Sequence, residues 1–227
     1  MAMTVVIIIA ILVILYGPFG WAKSVLNRYN RDEYFSGNGF DLARLILERL
    51  ELNDVSVVET PAGDHYDPEK KAVGLSRARC GGKTLTAVVV AAHEVGHAVQ
   101  DHQGYKPFRT RTRLVRVAAR MERLGAGIMM AVPVIALITR VPATGFLFFL
   151  GGLGTLCIPL GVHLLTLPSE FDASFGRALP MLVDGQYIPP EDVPAARKIL
   201  MACALTYVAS ALVGLLNVWR WIRVLRR

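Results

Sequence analysis

The sequence predicts a mainly α membrane protein, with about four transmembrane helices and a small α+β region holding a short β-hairpin. Three observations predict it. Hydrophobic residues are 53% of the 227 and mean hydropathy is +0.43, more apolar than an ordinary soluble domain. Apolar runs of near-spanning length occur at residues 3–20, 125–139, 145–167 and 199–219. Between the first two runs the pattern changes to amphipathic stretches with helical and strand periodicity.

Residues 3–20 end in Gly17-Pro18-Phe19-Gly20-Trp21, with aromatic residues where an interface would lie. No basic segment precedes the run and no small-residue cleavage site follows it, so it reads as an uncleaved anchor. Lys23, Arg28 and Arg31 come next. Residues 41–52 have helical periodicity with Asp41 near the start. Residues 55–59 and 71–76 read as two strands around a turn at Gly63-Asp64-His65-Tyr66-Asp67-Pro68. Together they predict the hairpin, either a plain structural element or one whose edge captures an extended peptide.

A helix follows through Val88-Val89-Val90-Ala91-Ala92-His93-Glu94-Val95-Gly96-His97-Ala98-Val99-Gln100. After it, Arg109, Arg113, Arg116, Arg120 and Arg123 recur at steps of four and three, a basic stripe facing solvent or headgroups. Pro133 interrupts the second apolar run, and Pro168 predicts a helix break after the third. The last run closes on Trp219, Trp221 and a basic tail at residues 220–227. The domain reading is an anchor at 1–21, a catalytic region at 22–124, two spans at 125–167, a loop with a helix at 168–198, and a final span with its tail at 199–227.

The chemistry concentrates at His93. Residues four apart share a helix face, so His93 and His97 can hold one Zn²⁺, and Glu94, about 100° around, can reach a water on that metal. Burying two histidines and a glutamate without a metal or partners is expensive, which disfavours a purely structural role. A zinc hydrolase needs a third protein ligand. Four spans would bring the loop with His93 and the loop after Pro168 to one side of the membrane, where Glu170 follows the third run; Glu170 is the expected ligand. The metal would acidify a water, and Glu94 would take its proton and pass it to the leaving amine. Gln100 and Gln103 stand where an extended motif would need Gly and His, so that route to a third ligand is absent. His102 falls off the metal-facing side. His65, in a turn beside a tyrosine, could stabilise an oxyanion or simply bond locally. His163 would share a face with Glu170 only in a continuous helix.

Taken together, Asp64-His65-Tyr66-Asp67-Pro68, Val73-Gly74-Leu75-Ser76, the Ala91 to Gln100 segment, Glu170-Phe171-Asp172-Ala173-Ser174 and Ala204-Leu205-Thr206-Tyr207-Val208-Ala209 resemble the YugP-type bacterial membrane zinc metallopeptidases, a neutral zinc metallopeptidase family. The resemblance covers nearly the whole chain. It implies a membrane-embedded, zincin-like and gluzincin-like endopeptidase with one zinc per chain, held by His93, His97 and Glu170, and with Glu94 as base. A looser similarity to membrane proteases of the HtpX and Ste24 kind implies an acid four residues after the ligand glutamate to orient a zinc histidine. Ser174 stands there instead, so either Ser174 orients the ring more weakly or Asp172 reaches another partner such as Arg177.

The expected partners are a peptide or membrane-protein substrate and the lipid bilayer. The net charge of +7 sits beside apolar runs, which argues against nucleic acid. Three cysteines supply neither a disulfide framework nor a zinc cluster. Counting basic residues near the spans favours a multi-pass protein with its site on the cytoplasmic side, and the resemblance implies that the membrane is a bacterial plasma membrane. Two rivals remain: a zinc-binding scaffold without turnover, which would not need Glu94, and a transporter, for which the runs hold too few polar residues. The sequence leaves the oligomeric state open.

Overall fold

In a computed structural model describing residues 2–31, 36–139 and 142–216, the chain is mainly helical with one small sheet. Arg140, Trp219, Trp221 and the basic tail lie outside the described residues. The chain divides into two compact units, residues 17–109 with 167–206, and residues 1–16, 110–166 and 207–227.

The first unit is built around α4 (Leu85–His102), which follows the short helix α3 (Arg77–Cys80). Thr84 caps it, its hydroxyl accepting the Ala87 N–H at 3.1 Å. The sequence that follows is small or apolar at nearly every angle, so the helix is buried on all sides from Leu85 to Ala98. Helix α2 (Gly39–Arg49) packs on it through Leu42, Ala43, Ile46 and Leu47, and starts at a reciprocal cap between Asn38 and Asp41.

The sheet comprises β1 (Ser56–Glu59), β2 (His65–Asp67) and β3 (Ala72–Leu75), in the order β1-β3-β2. The expected hairpin of residues 55–59 with 71–76 is corrected here. Those two segments pair in parallel, Ser56 opposite Ala72 and Glu59 opposite Leu75. The hairpin is instead β2 with β3, His65 opposite Gly74 and Asp67 opposite Ala72. The cause is the reversal after Asp67, whose carboxylate accepts the N–H groups of Glu69 and Lys70 at 2.9 and 3.2 Å, with Lys71 at φ +49°. The segment directly before that reversal becomes the antiparallel partner.

One carboxylate ties the hairpin to α4. Asp101 Oδ2 accepts from Tyr66 Oη at 2.9 Å and from Lys71 Nζ at 2.7 Å. Tyr66 is buried; burial first, and then Asp101, push its hydroxyl well above the ordinary tyrosine range. It therefore stays a donor. Asp101→Ala leaves that hydroxyl unpaired and is expected to cost roughly 1–3 kcal/mol. Urea unfolding measures this, and a midpoint equal to wild type with an unchanged slope counts against the tie.

Helix α6 (Pro142–Phe171) runs through Pro168, so the expected break is absent. The irregularity lies further on, where residues Asp172–Ala178 wind as a π-helix before α7 (Leu179–Asp184) and α8 (Val193–Leu216). The stretch from 168 is thus largely helical. At its end, the Leu179 N–H reaches back to the Ser174 carbonyl, the wider i to i+5 bond.

The second unit draws on helix α1 (Ala2–Arg28), α5 (Lys106–Thr139) and α6. Ala118 and Ala126 are buried in it, while Leu137 and Leu165 are 78% and 71% exposed. The expectation of about four transmembrane helices fails here: among the described residues, no helix is long and apolar enough to cross a membrane. A crossing takes about 20 consecutive apolar residues. The first half of α5 carries Lys106 and the arginines through Arg123, and Pro133 divides the remainder. Helix α8 has Arg197 and Lys198 near its start. The multi-pass topology and the cytoplasmic orientation lose their basis with the spans, as does the same-side argument for Glu170.

Candidate metal centre

Glu170 reaches the histidines through packing within the first unit. Near the end of α6 it meets α4 where the π-helical segment lies against that helix. Gly96 permits the approach. A Cβ at position 96 would stand 2.7 Å from the Ala173 carbonyl oxygen, so only a residue without one lets the two backbones come this close.

His93, His97 and Glu170 are each about 2% exposed, and their ligand atoms lie within 4.8 Å of one another. Glu170 Oε2 is 3.5 Å from His93 Nε2 and 3.2 Å from His97 Nε2. The rings meet edge to face at 4.8 Å, and His97 also packs on the buried ring of Phe108.

The other ring nitrogens are held from behind. Ser174 Oγ lies 3.1 Å from His93 Nδ1 and 3.2 Å from the Leu200 carbonyl. A hydroxyl has one hydrogen, and the carbonyl can only accept, so Ser174 donates to Leu200 and accepts from His93 Nδ1–H. Gln100, wholly buried, has its Oε1 2.9 Å from His97 Nδ1, while its amide nitrogen donates to the Ser169 carbonyl at 2.8 Å and to Asp172 Oδ2 at 2.7 Å. His97 Nδ1 is then the donor to Gln100. Both neutral imidazoles so assigned turn an Nε2 lone pair toward the Glu170 carboxylate. Three electron-pair donors converging in a buried space fit a cation, and two imidazoles with one carboxylate fit zinc.

Glu94 is the next residue along α4, 5% exposed and outside the converging triad. Cys203, from α8, is close enough that the Glu94 carboxylate stands second only to burial in pushing its thiol above the ordinary range. His65 lies on β2, where Nδ1 and the Gly63 carbonyl are 2.8 Å apart and the ring covers Gly74. Its neutral N–H is therefore spent locally, and donation to an oxyanion would require the imidazolium. Asp172 faces Gln100 and Arg177 Nε, the latter at 2.7 Å, and not a histidine. His102 ends α4 outside the triad, and the His163 carbonyl accepts the Thr166 hydroxyl.

Sequence reasoning misses two parts of this centre. Gln100 stands out in the sequence only as a missing ligand, although its place three residues after His97 puts it on that ring's side of the helix. Gly96 carries a signal as the one glycine inside the helical pattern of α4.

A family profile described as "Putative neutral zinc metallopeptidase" matches residues 4–226. The chain is also 36% identical over 217 residues to the "Putative membrane protease YugP" of Bacillus subtilis (strain 168), covering 89% of this chain and 87% of that protein. No solved structure matches it. A buried His-His-Glu group able to bind one metal ion, together with a match along almost the whole length, makes this chain a member of the neutral zinc metallopeptidase family.

Proposed function

We propose that the chain is a membrane-associated zinc endopeptidase in which His93, His97 and Glu170 hold the metal and Glu94 is the general base. The observation that carries the reading is the convergence of the three buried ligand atoms, with the Nδ1 protons of both rings committed elsewhere. Zinc, when bound, supplies a Lewis acid that acidifies water and polarises a carbonyl. The chain's residues do the rest. Ser174 and Gln100 keep the two Nε2 atoms deprotonated and aimed at the centre. Glu94 accepts a proton from the attacking water at its carboxylate and returns it to the leaving nitrogen as the amide bond breaks. The extended substrate adds beside β2, one of the two edge strands of the sheet. Membrane association is supported by the name of the Bacillus subtilis relative and by apolar side chains such as Leu137, Ile138 and Leu165 that stand exposed.

Bound zinc and peptide cleavage, measured on the same preparations, test this reading. Wild type is expected to hold one zinc per chain and to lose cleavage on chelation. His93→Ala and Glu170→Gln are each expected to lose zinc and cleavage together. Full zinc content in Glu170→Gln removes that residue from the ligand set.

A further inference from the structure

The Gln100 amide can be placed in either of two orientations, and only one of them suits a metal. With Oε1 toward His97, the ring carries its proton on Nδ1 and presents a lone pair at Nε2. With the NH₂ toward His97, the ring must accept at Nδ1, and its proton moves to Nε2, where it points at the Glu170 carboxylate and blocks a cation. The Ser169 carbonyl, which can only accept, favours the first orientation at 2.8 Å from Gln100 Nε2, while the Ser169 hydroxyl, 3.3 Å from Oε1, could serve either. Asp172 favours the first as well. Its carboxylate can only accept, and at 2.7 Å from Gln100 Nε2 it fixes the amide nitrogen on its own side.

Asp172 is in turn fixed by Arg177, whose Nε donates to the same Oδ2 at 2.7 Å. Arg177 is anchored as well: Nη1 donates to Gln103 Oε1 at 2.7 Å, and the guanidinium lies over the Tyr105 ring, 5.4 Å from its centre. Both members of the pair are largely shielded, with side chains 14% and 27% exposed.

We propose that Arg177 and Asp172 are positioning residues for the metal centre, which hold the orientation of Gln100 together with the Ser169 carbonyl and through it the tautomer of His97. The proposal rests on the ligand role of His97. A charged acceptor is placed one residue away from the ring, with a neutral amide as the intermediary. The Ser174 side works without such a charge, since the Leu200 carbonyl, also acceptor-only, fixes the hydroxyl there.

The test is the zinc dissociation constant, measured by competition with a chelating dye. Its variants are Asp172→Asn, Arg177→Ala, His97→Ala and the double Gln100→Glu with Asp172→Asn. Asp172→Asn keeps the shape but removes the charge, which leaves the Ser169 carbonyl as the stronger hold on the Gln100 amide. Zinc binding is expected to weaken about 10–100-fold, and by less in Arg177→Ala. In the double variant an acceptor-only group faces His97 again and the asparagine supplies a donor, while the Ser169 carbonyl opposes the second oxygen, so part of the lost affinity is expected to return. If Asp172 served packing alone, the second substitution would add to the loss. Wild-type affinity in both Asp172→Asn and Arg177→Ala overturns the proposal, as does a double variant weaker than Asp172→Asn. Should Asp172→Asn fail to fold, Arg177→Ala and the double variant test the same relay: wild-type affinity in the first, or no zinc binding in a folded double variant, overturns it. His97→Ala separates the two levels: if it binds zinc like wild type, the metal centre falls and the relay with it.

Discussion

Glu94→Gln is expected to keep one zinc per chain and to lose peptide cleavage by about 10²–10⁴-fold, the range of a removed general base. The amide has the shape of the carboxylate but cannot take a proton from water. Glu94 stands outside the converging His93, His97 and Glu170 atoms, so the metal has no reason to leave. The side chain is almost fully buried, and exchanging a buried charge for a neutral amide does not destabilise the fold for lack of solvation. A melting temperature at or above that of wild type should therefore accompany the loss. Cys203 offers no substitute base, since burial first and then the Glu94 carboxylate push its thiol above the ordinary range. Cleavage at the wild-type rate would sink the assignment of Glu94. Zinc lost along with cleavage would make it a ligand. Zinc retained with cleavage lost also excludes a scaffold without turnover.

Gly96→Ala is the second large effect, and its sign is the informative part. Within a helix this exchange ordinarily stabilises by up to about 1 kcal/mol. Here the added methyl meets backbone, at 2.7 Å from the Ala173 oxygen and 3.3 Å from its carbonyl carbon, and neither can swing aside as a side-chain tip would. Overpacking of this kind costs roughly 1–3 kcal/mol, which outweighs the gain. The strain falls between Glu170 and Ser174, so weaker zinc binding should appear together with a lower melting temperature. A variant more stable than wild type and with unchanged zinc affinity would show that the two backbones do not pack this closely.

The parts of this molecule that depend on short periodicities are readable from the sequence. Two histidines four apart on a helix share a face whatever surrounds them, and their joint burial follows from the apolar run before them. Glu170 is also readable, as an acid directly after an apolar run, though a count of spans is the wrong reason for its position. Packing of α4 against the π-helical segment brings it in. The relation of Asp172 to Gln100 is hidden because it depends on a change of winding that begins at Asp172 itself, and no residue there announces it. The parallel β1 is hidden for a related reason. The strand residues signal a sheet, while the partner is chosen by where the chain reverses, and here that is Asp67 to Lys71. The apolar runs invite too strong a reading. Apolar sequence suits the inside of a protein as well as lipid, and Val88 to Ala92 on α4 is a run of the first kind.

The burial of α4 on every side has a thermodynamic consequence. Two of the three ligands sit on the segment around which the first unit condenses, and the third on the chain packed against it. Disassembling the centre and melting the unit are therefore one transition. By mass action, a ligand held only by the native state adds about 4 kcal/mol of resistance to unfolding at a thousand times its dissociation constant, a large part of a typical domain's whole stability. The same ion that equips the site for hydrolysis would then decide how long the unit survives among other proteases, so metal supply sets the lifetime of the protein together with its activity.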